Sequence, residues 1–158
     1  MPLRTALMML AAAALLSQPG YAQHRHDPAM HGAAPADTRT AVAFPPPMKA
    51  ETLANMRDHL LALQEIQQAL AAGRFDEAAG IAEKRLGMSS LQRHGAHDVG
   101  RFMPEGMREA GTQMHRSASR FAAAATDAAV SNDVKPALAA LAQVTGSCVA
   151  CHAAYRFE

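Results

Sequence analysis

The chain has 158 residues, enough for one domain, with a formal net charge of +1 and 49% hydrophobic residues. Charge so evenly balanced sets up no one-sign field to draw nucleic acid or an anionic membrane surface, and neither is expected as a partner. Aromatic residues are few (five Phe, two Tyr, no Trp) and alanine is abundant, so a core of Ala, Leu and Met alone would be thin.

Residues 1–22 carry a secretory pattern. Arg4 supplies the positive start, Ala6 to Leu16 form a short apolar run, and Gly20-Tyr21-Ala22 makes a small-residue end with cleavage expected after Ala22. The run is too short for a bilayer, which needs about 20 residues, and no later segment is expected to span one either. A soluble exported protein is therefore expected, with an uncleaved N-terminal anchor as the alternative. Removing residues 1–22 takes away Arg4 and no acid, leaving 14 basic and 14 acidic residues.

Residues 23–47, "QHRHDPAMHGAAPADTRTAVAFPPP", have no apolar period and read as a disordered linker. His24, His26 and His31 have a spacing that could bind copper or nickel weakly, but a solvated polar tail is the favoured reading. The run Pro45-Pro46-Pro47 is extended and ends where a helix can start. From Met48 a helical seam follows: Leu53, Met56, Leu60, Leu63, Gln67 and Leu70, with Gly73 at the C-terminal cap. A shorter helix is expected over Phe75 to Gly87, while residues 88–103 resist assignment. His94 and His97, three apart there, read as surface histidines rather than a metal pair.

A third helix begins near Pro104, with Met107, Gly111, Met114, Ala118, Phe121 and Ala125 as its stripe. Gly106 and Gly111 are odd inside it, since each costs about 1 kcal/mol relative to Ala. Close approach of a helix or a flat cofactor would explain Gly111. Asn132 or Asp133 can cap a fourth helix from Val134 to Phe157, with Pro136 in its first turn. Four helical segments joined by short connections predict an all-α fold, an antiparallel four-helix bundle over residues 48–158. His115 reads as a packed histidine, and Met103, Met107 and Met114 as core that would also suit a porphyrin edge.

The last helix carries both cysteines as Cys148-Val-Ala-Cys151-His152, the C-x-x-C-H pattern of covalent c-type haem attachment. On a helix, thiols three apart share one face and can meet both vinyl groups on one porphyrin edge. His152, four residues after Cys148, stands over the same face, and a neutral imidazole is a good iron ligand. Three readings compete with haem c. A redox disulfide motif usually opens a helix in a strand–helix context. A zinc site needs two more ligands, which His94, His97 or His115 could supply. A plain structural disulfide is the third.

The bundle with C-x-x-C-H near its C-terminus, followed after two residues by the aromatic–basic pair Tyr155-Arg156, resembles the class II c-type cytochromes, the cytochrome c′ and cytochrome c556 family. The resemblance spans about residues 48–158. It implies thioethers at Cys148 and Cys151, His152 as axial iron ligand, Arg156 as a basic residue near the haem, one turn on, and a periplasmic site of action. It also implies a sixth ligand from the first helix in the c556 branch, for which Met56 is the candidate and His59 the less favoured neighbour. Members of the family often pair as homodimers through their first two helices.

Two functions follow. A Met/His-ligated iron would carry electrons between redox partner proteins, since a methionine ligand raises the potential and no substrate pocket is needed. A five-coordinate iron of the cytochrome c′ kind would bind nitric oxide or carbon monoxide. No paired carboxylates or nucleophile–base spacing stands out, and no enzyme is expected.

Overall fold

The structure, a computed structural model, describes residues 36–158; the expected signal peptide and the first part of the expected linker, with His24, His26 and His31, lie outside the described residues. Among the described residues there are five α-helices: α1 (Pro46–Ala71), α2 (Phe75–Arg85), α3 (Ala96–Val99), α4 (Glu105–Ser131) and α5 (Lys135–Ala154). The predominantly helical expectation therefore holds. Residues 88–103, which resisted assignment, form the short α3 between two single 3-10 turns, Met88–Ser90 and Gly100–Phe102.

Helix boundaries follow local chemistry. α1 starts inside the proline run, with Pro in its first turn, where a missing N–H loses no intrahelical bond. It stops at Gly73, whose φ of +70° suits a residue without a Cβ. The Arg74 amide then donates to the Ala69 carbonyl (2.8 Å) and the Gly73 amide to Leu70 (3.1 Å), the two bonds of a Schellman end. In α2, Asp76 and Glu77 occupy the first turn and Lys84 and Arg85 the last, each complementing the helix dipole. α4 follows Pro104 and closes on Asn132 in the left-handed region (φ 57°). The Asp133 carboxylate accepts from the Lys135 amide (3.0 Å) at the start of α5.

α1 packs on α2, α2 on α4 and α4 on α5, whereas α1 and α5 barely touch. The main core is built largely of alanine, with Ala62, Ile66 and Ala69 of α1, Ala78 and Ala82 of α2, Phe121 and Ala125 of α4, and Leu141 and Val144 of α5. Arg85 ties α2 to α1 through the carboxylates of Asp58 (Nε–Oδ2 3.1 Å) and Glu65. Asp58 pulls Arg85 up from its ordinary pKa, and Arg85 holds Asp58 below the usual carboxylate range.

The sequence expectations differ from this fold at four places. The linker expected over residues 23–47 contains a strand, β1 (Thr40–Val42), and the first residues of α1. β1 pairs in parallel with β2 (Tyr155–Phe157), with Thr40 opposite Tyr155 and Val42 opposite Phe157. The last helix therefore ends at Ala154, because Tyr155 turns extended (φ −130°, ψ 150°) to join this ladder. Around it a second apolar cluster forms, with Val42, Phe44, Val99 and Met107 buried, and Phe44 and Phe157 rings 5.0 Å apart.

The third difference is the inward face of α1. The expected seam included Leu60, yet Leu60 is 70% exposed, and the buried positions are Thr52, Ala62, Ile66, Ala69 and Leu70. Over most of the helix the inward face lies about one residue from the expected seam, with Ala62, Ile66 and Ala69 carrying it and Leu70 common to both. Lastly, α5 has a mean hydropathy of 1.4 and is long and apolar enough, by length and composition, to cross a membrane, contrary to expectation. Its alanines and Val149 raise the index while its buried stripe, Ala137, Leu141 and Val144, packs on α4.

Candidate functional site

A cavity separates the facing parts of α1 and α5 and is walled further by α4 and the segment around α3. Cys148, Cys151 and His152 reach it from α5, and Met56 and His59 from α1. Residues three and four apart on α5 share a face, so the three C-x-x-C-H side chains open on one space. Both cysteines are free and half-buried. Burial pushes both thiols up from their ordinary pKa, with the neighbouring Cys148 adding to the effect at Cys151. A reactive disulfide-exchange thiol needs the opposite shift.

Met103, Met107 and Met114 line the same cavity, so the methionines read as core also form its apolar wall. Gly111 lies on this wall, and a Cβ built there would have nothing within 4 Å. No neighbouring helix approaches Gly111 closely, so that explanation of this glycine does not hold. Gly106 has a different cause: a Cβ there would stand 2.5 Å from the Tyr155 hydroxyl.

Arg156 lies elsewhere. It was expected one helical turn after His152, but it sits in β2, does not line the cavity, and pairs with Asp37 (Nε–Oδ2 3.3 Å). Asp37 also binds Arg39 (2.8 Å), whose side-chain and backbone hydrogen bonds hold this exposed carboxyl far below the usual range. The pair thus fastens the segment before β1 to the chain end.

Sequence reasoning kept three histidines apart that the fold gathers. His59 of α1, His94 of the preceding turn segment and His115 of α4 meet on one side of the cavity, with ring centroids 4.8 Å (His59–His94), 5.6 Å (His94–His115) and 6.0 Å (His59–His115) apart. His94 is buried, not a surface partner of His97, which is exposed beside Asp98 (3.2 Å). His115 Nδ1 is 2.7 Å from the Leu86 carbonyl, a pure acceptor, so that nitrogen carries the proton. Ser90 Oγ donates to the Gly87 carbonyl (2.7 Å) and lies 3.3 Å from His115 Nδ1 and 3.4 Å from His94 Nδ1. His59 Nε2 and Thr52 Oγ1 are buried with no hydrogen-bond partner among the described residues. Burial lowers the pKa of all three imidazoles, His59 to about 4 with His94 and His115 adding to the effect. The cue in the sequence was the alanine face of α1: His59 falls in line with Ala62 and Ile66, not with Leu60.

Among the described residues no group of three or more His, Cys, Asp or Glu side chains is placed to hold a metal ion. No protein family, curated protein or solved structure matches this chain.

Proposed function

We propose that the chain is a periplasmic c-type cytochrome of the class II kind, a four-helix bundle with one haem joined to α5, that carries electrons between redox partner proteins. The observation that carries this reading is the cavity that keeps α1 and α5 apart, with Cys148, Cys151 and His152 on one wall and Met56 on another. The residues present suit a porphyrin. Two free thiols share a helix face, Gly111 leaves open space on α4, and methionine side chains supply a polarisable apolar wall. In such a protein the haem supplies the one-electron chemistry. The chain's own residues do the rest. Cys148 and Cys151 would anchor the group by thioethers, His152 would bind the iron on one side, and Met56 would be the sixth ligand. Nothing in this role needs a substrate or an enzyme's acid–base pair.

The five-coordinate, gas-binding reading draws on a separate observation, the three imidazoles on the cavity wall, which could hydrogen-bond to a small exogenous ligand. One experiment decides. The protein is exported with haem-attachment machinery, denatured, and extracted with acidified organic solvent. Pigment that stays with the polypeptide, together with an absorption band of methionine-ligated ferric iron lost in Met56→Ala, is the expected result. High-spin bands indifferent to Met56→Ala favour the gas-binding reading, and extractable pigment or colourless protein overturns both.

A further inference from the structure

Among the described residues two buried side-chain polar atoms have no hydrogen-bond partner, Thr52 Oγ1 and His59 Nε2. Both residues line the cavity from α1, one four positions before Met56 and the other three after it, on the same helix face. Such atoms are rare in a folded protein, and each calls for a reason. Thr52 is the more telling of the two. It is only 7% exposed, and a threonine inside a helix ordinarily finds an acceptor in the carbonyl four residues back. Thr112 gives its hydroxyl to the Arg108 carbonyl (2.9 Å), Thr126 to Ala122 (3.1 Å) and Thr145 to Leu141 (3.3 Å). Thr52 makes no such bond to Met48, so its hydroxyl is free to donate into the cavity.

We propose that Thr52 is a positioning residue for Met56, a role that rests on Met56 being the sixth iron ligand: the Thr52 hydroxyl donates to the bound Met56 thioether and so helps set the potential of the site. Helix geometry brings the two side chains together. Residues four apart have Cβ atoms about 5–6 Å from each other. A long helical side chain also leans back toward the N-terminus, onto the residue four before it, which for Met56 is Thr52. His59, on the other side, faces the imidazoles instead, with ring centroids 4.8 Å from His94 and 6.0 Å from His115. A thioether sulfur is a weak acceptor, and coordination uses only one of its two lone pairs. A hydroxyl on the other pair withdraws electron density from the ligand. That disfavours the ferric state, which carries the greater charge, and fixes the sulfur in its bound orientation.

The test uses the full chain exported with haem-attachment machinery, with Thr52→Val and Thr52→Ser beside it. Valine keeps the shape and removes the hydroxyl; serine keeps the hydroxyl and loses the methyl. Potentiometry should show a lower reduction potential in Thr52→Val, restored in Thr52→Ser. Added imidazole should displace Met56 from ferric iron at roughly two- to tenfold lower concentration in Thr52→Val, again restored in Thr52→Ser. A packing role predicts the opposite order, with valine neutral and serine perturbed, and that order overturns the proposal. So does a Thr52→Val protein whose potential and imidazole titration match the unsubstituted chain; if the methionine-ligated band is present there, the haem reading survives. Pigmented protein without that band removes Met56 from the iron and this role with it, and colourless protein removes the haem reading as well.

Discussion

Gly106 and Gly111 lie on the same helix, α4, and answer to different constraints. At Gly106 the obstacle is the tip of the Tyr155 ring; at Gly111 there is open space over the cavity. Alanine improves helix propensity by about 1 kcal/mol over glycine at either position. In haem-free protein Gly111→Ala should therefore raise unfolding free energy by about that amount, read by urea titration. Gly106→Ala should gain little or nothing, because Tyr155 must move, and its near-ultraviolet circular dichroism should change. If a flat group occupies the cavity, the Gly111→Ala gain shrinks or reverses in pigmented protein. Equal gains at both glycines would contradict this account. The helical cysteines and His152 were legible at this scale, since their spacing is itself the signal.

Between elements, the unexpected pairing of β1 with β2 closes the molecule. It joins residues just ahead of α1 to the last residues of the chain, beside Cys151 at the end of α5. Val42 is 4% exposed and Phe44 9%, both in the cluster that includes Cys151 and Tyr155. Val42→Ala should cost about 1–2 kcal/mol, within the range for shortening a buried aliphatic side chain. It should also speed hydrogen exchange at the amides of Tyr155 to Phe157, with little change in the middle of α4. Protection that survives the substitution would mean that the ladder does not depend on this cluster. Three-residue strands escaped the sequence reading because alternation over so short a span cannot be told from chance. Tyr155-Arg156-Phe157 also continued the apolar pattern of α5, which masked its extended backbone.

Across the whole molecule, the buried imidazoles of His94 and His115 and the half-buried one of His59 make stability depend on acid. Burial lowers His59, His94 and His115 below the ordinary histidine value of 6.5, His59 to about 4. The ring neighbours lower His59 further, as Arg93 and His115 do His94, while Asp58 opposes this at both and Arg85 adds to it at His59. The unfolded chain therefore binds more protons than the folded one between pH 6.5 and about 4, so stability contributed by the neutral rings is complete above 6.5 and lost as pH falls. For His59 the loss amounts to as much as about 3 kcal/mol. Urea midpoints of metal-free protein should drop over this window, and His59→Gln should flatten the slope. A midpoint constant from pH 7 to pH 4.5 would refute the burial of neutral rings.

The helix ends marked by proline, glycine and Asn132, and the C-x-x-C-H spacing, were readable because they obey rules acting within one or two turns. Proline lacks an N–H, glycine tolerates positive φ at residue 73, and three- and four-residue spacing defines a helix face. The inward face of α1, the meeting of His59 with His94 and His115, and the join of residues 40–42 to 155–157 were not readable. Each depends on how distant segments pack. Alanine-rich helices can turn more than one face inward, and packing against α2 selects which. The fold thus decided which histidines share a space, and the local chemistry of α5 decided what that space is offered.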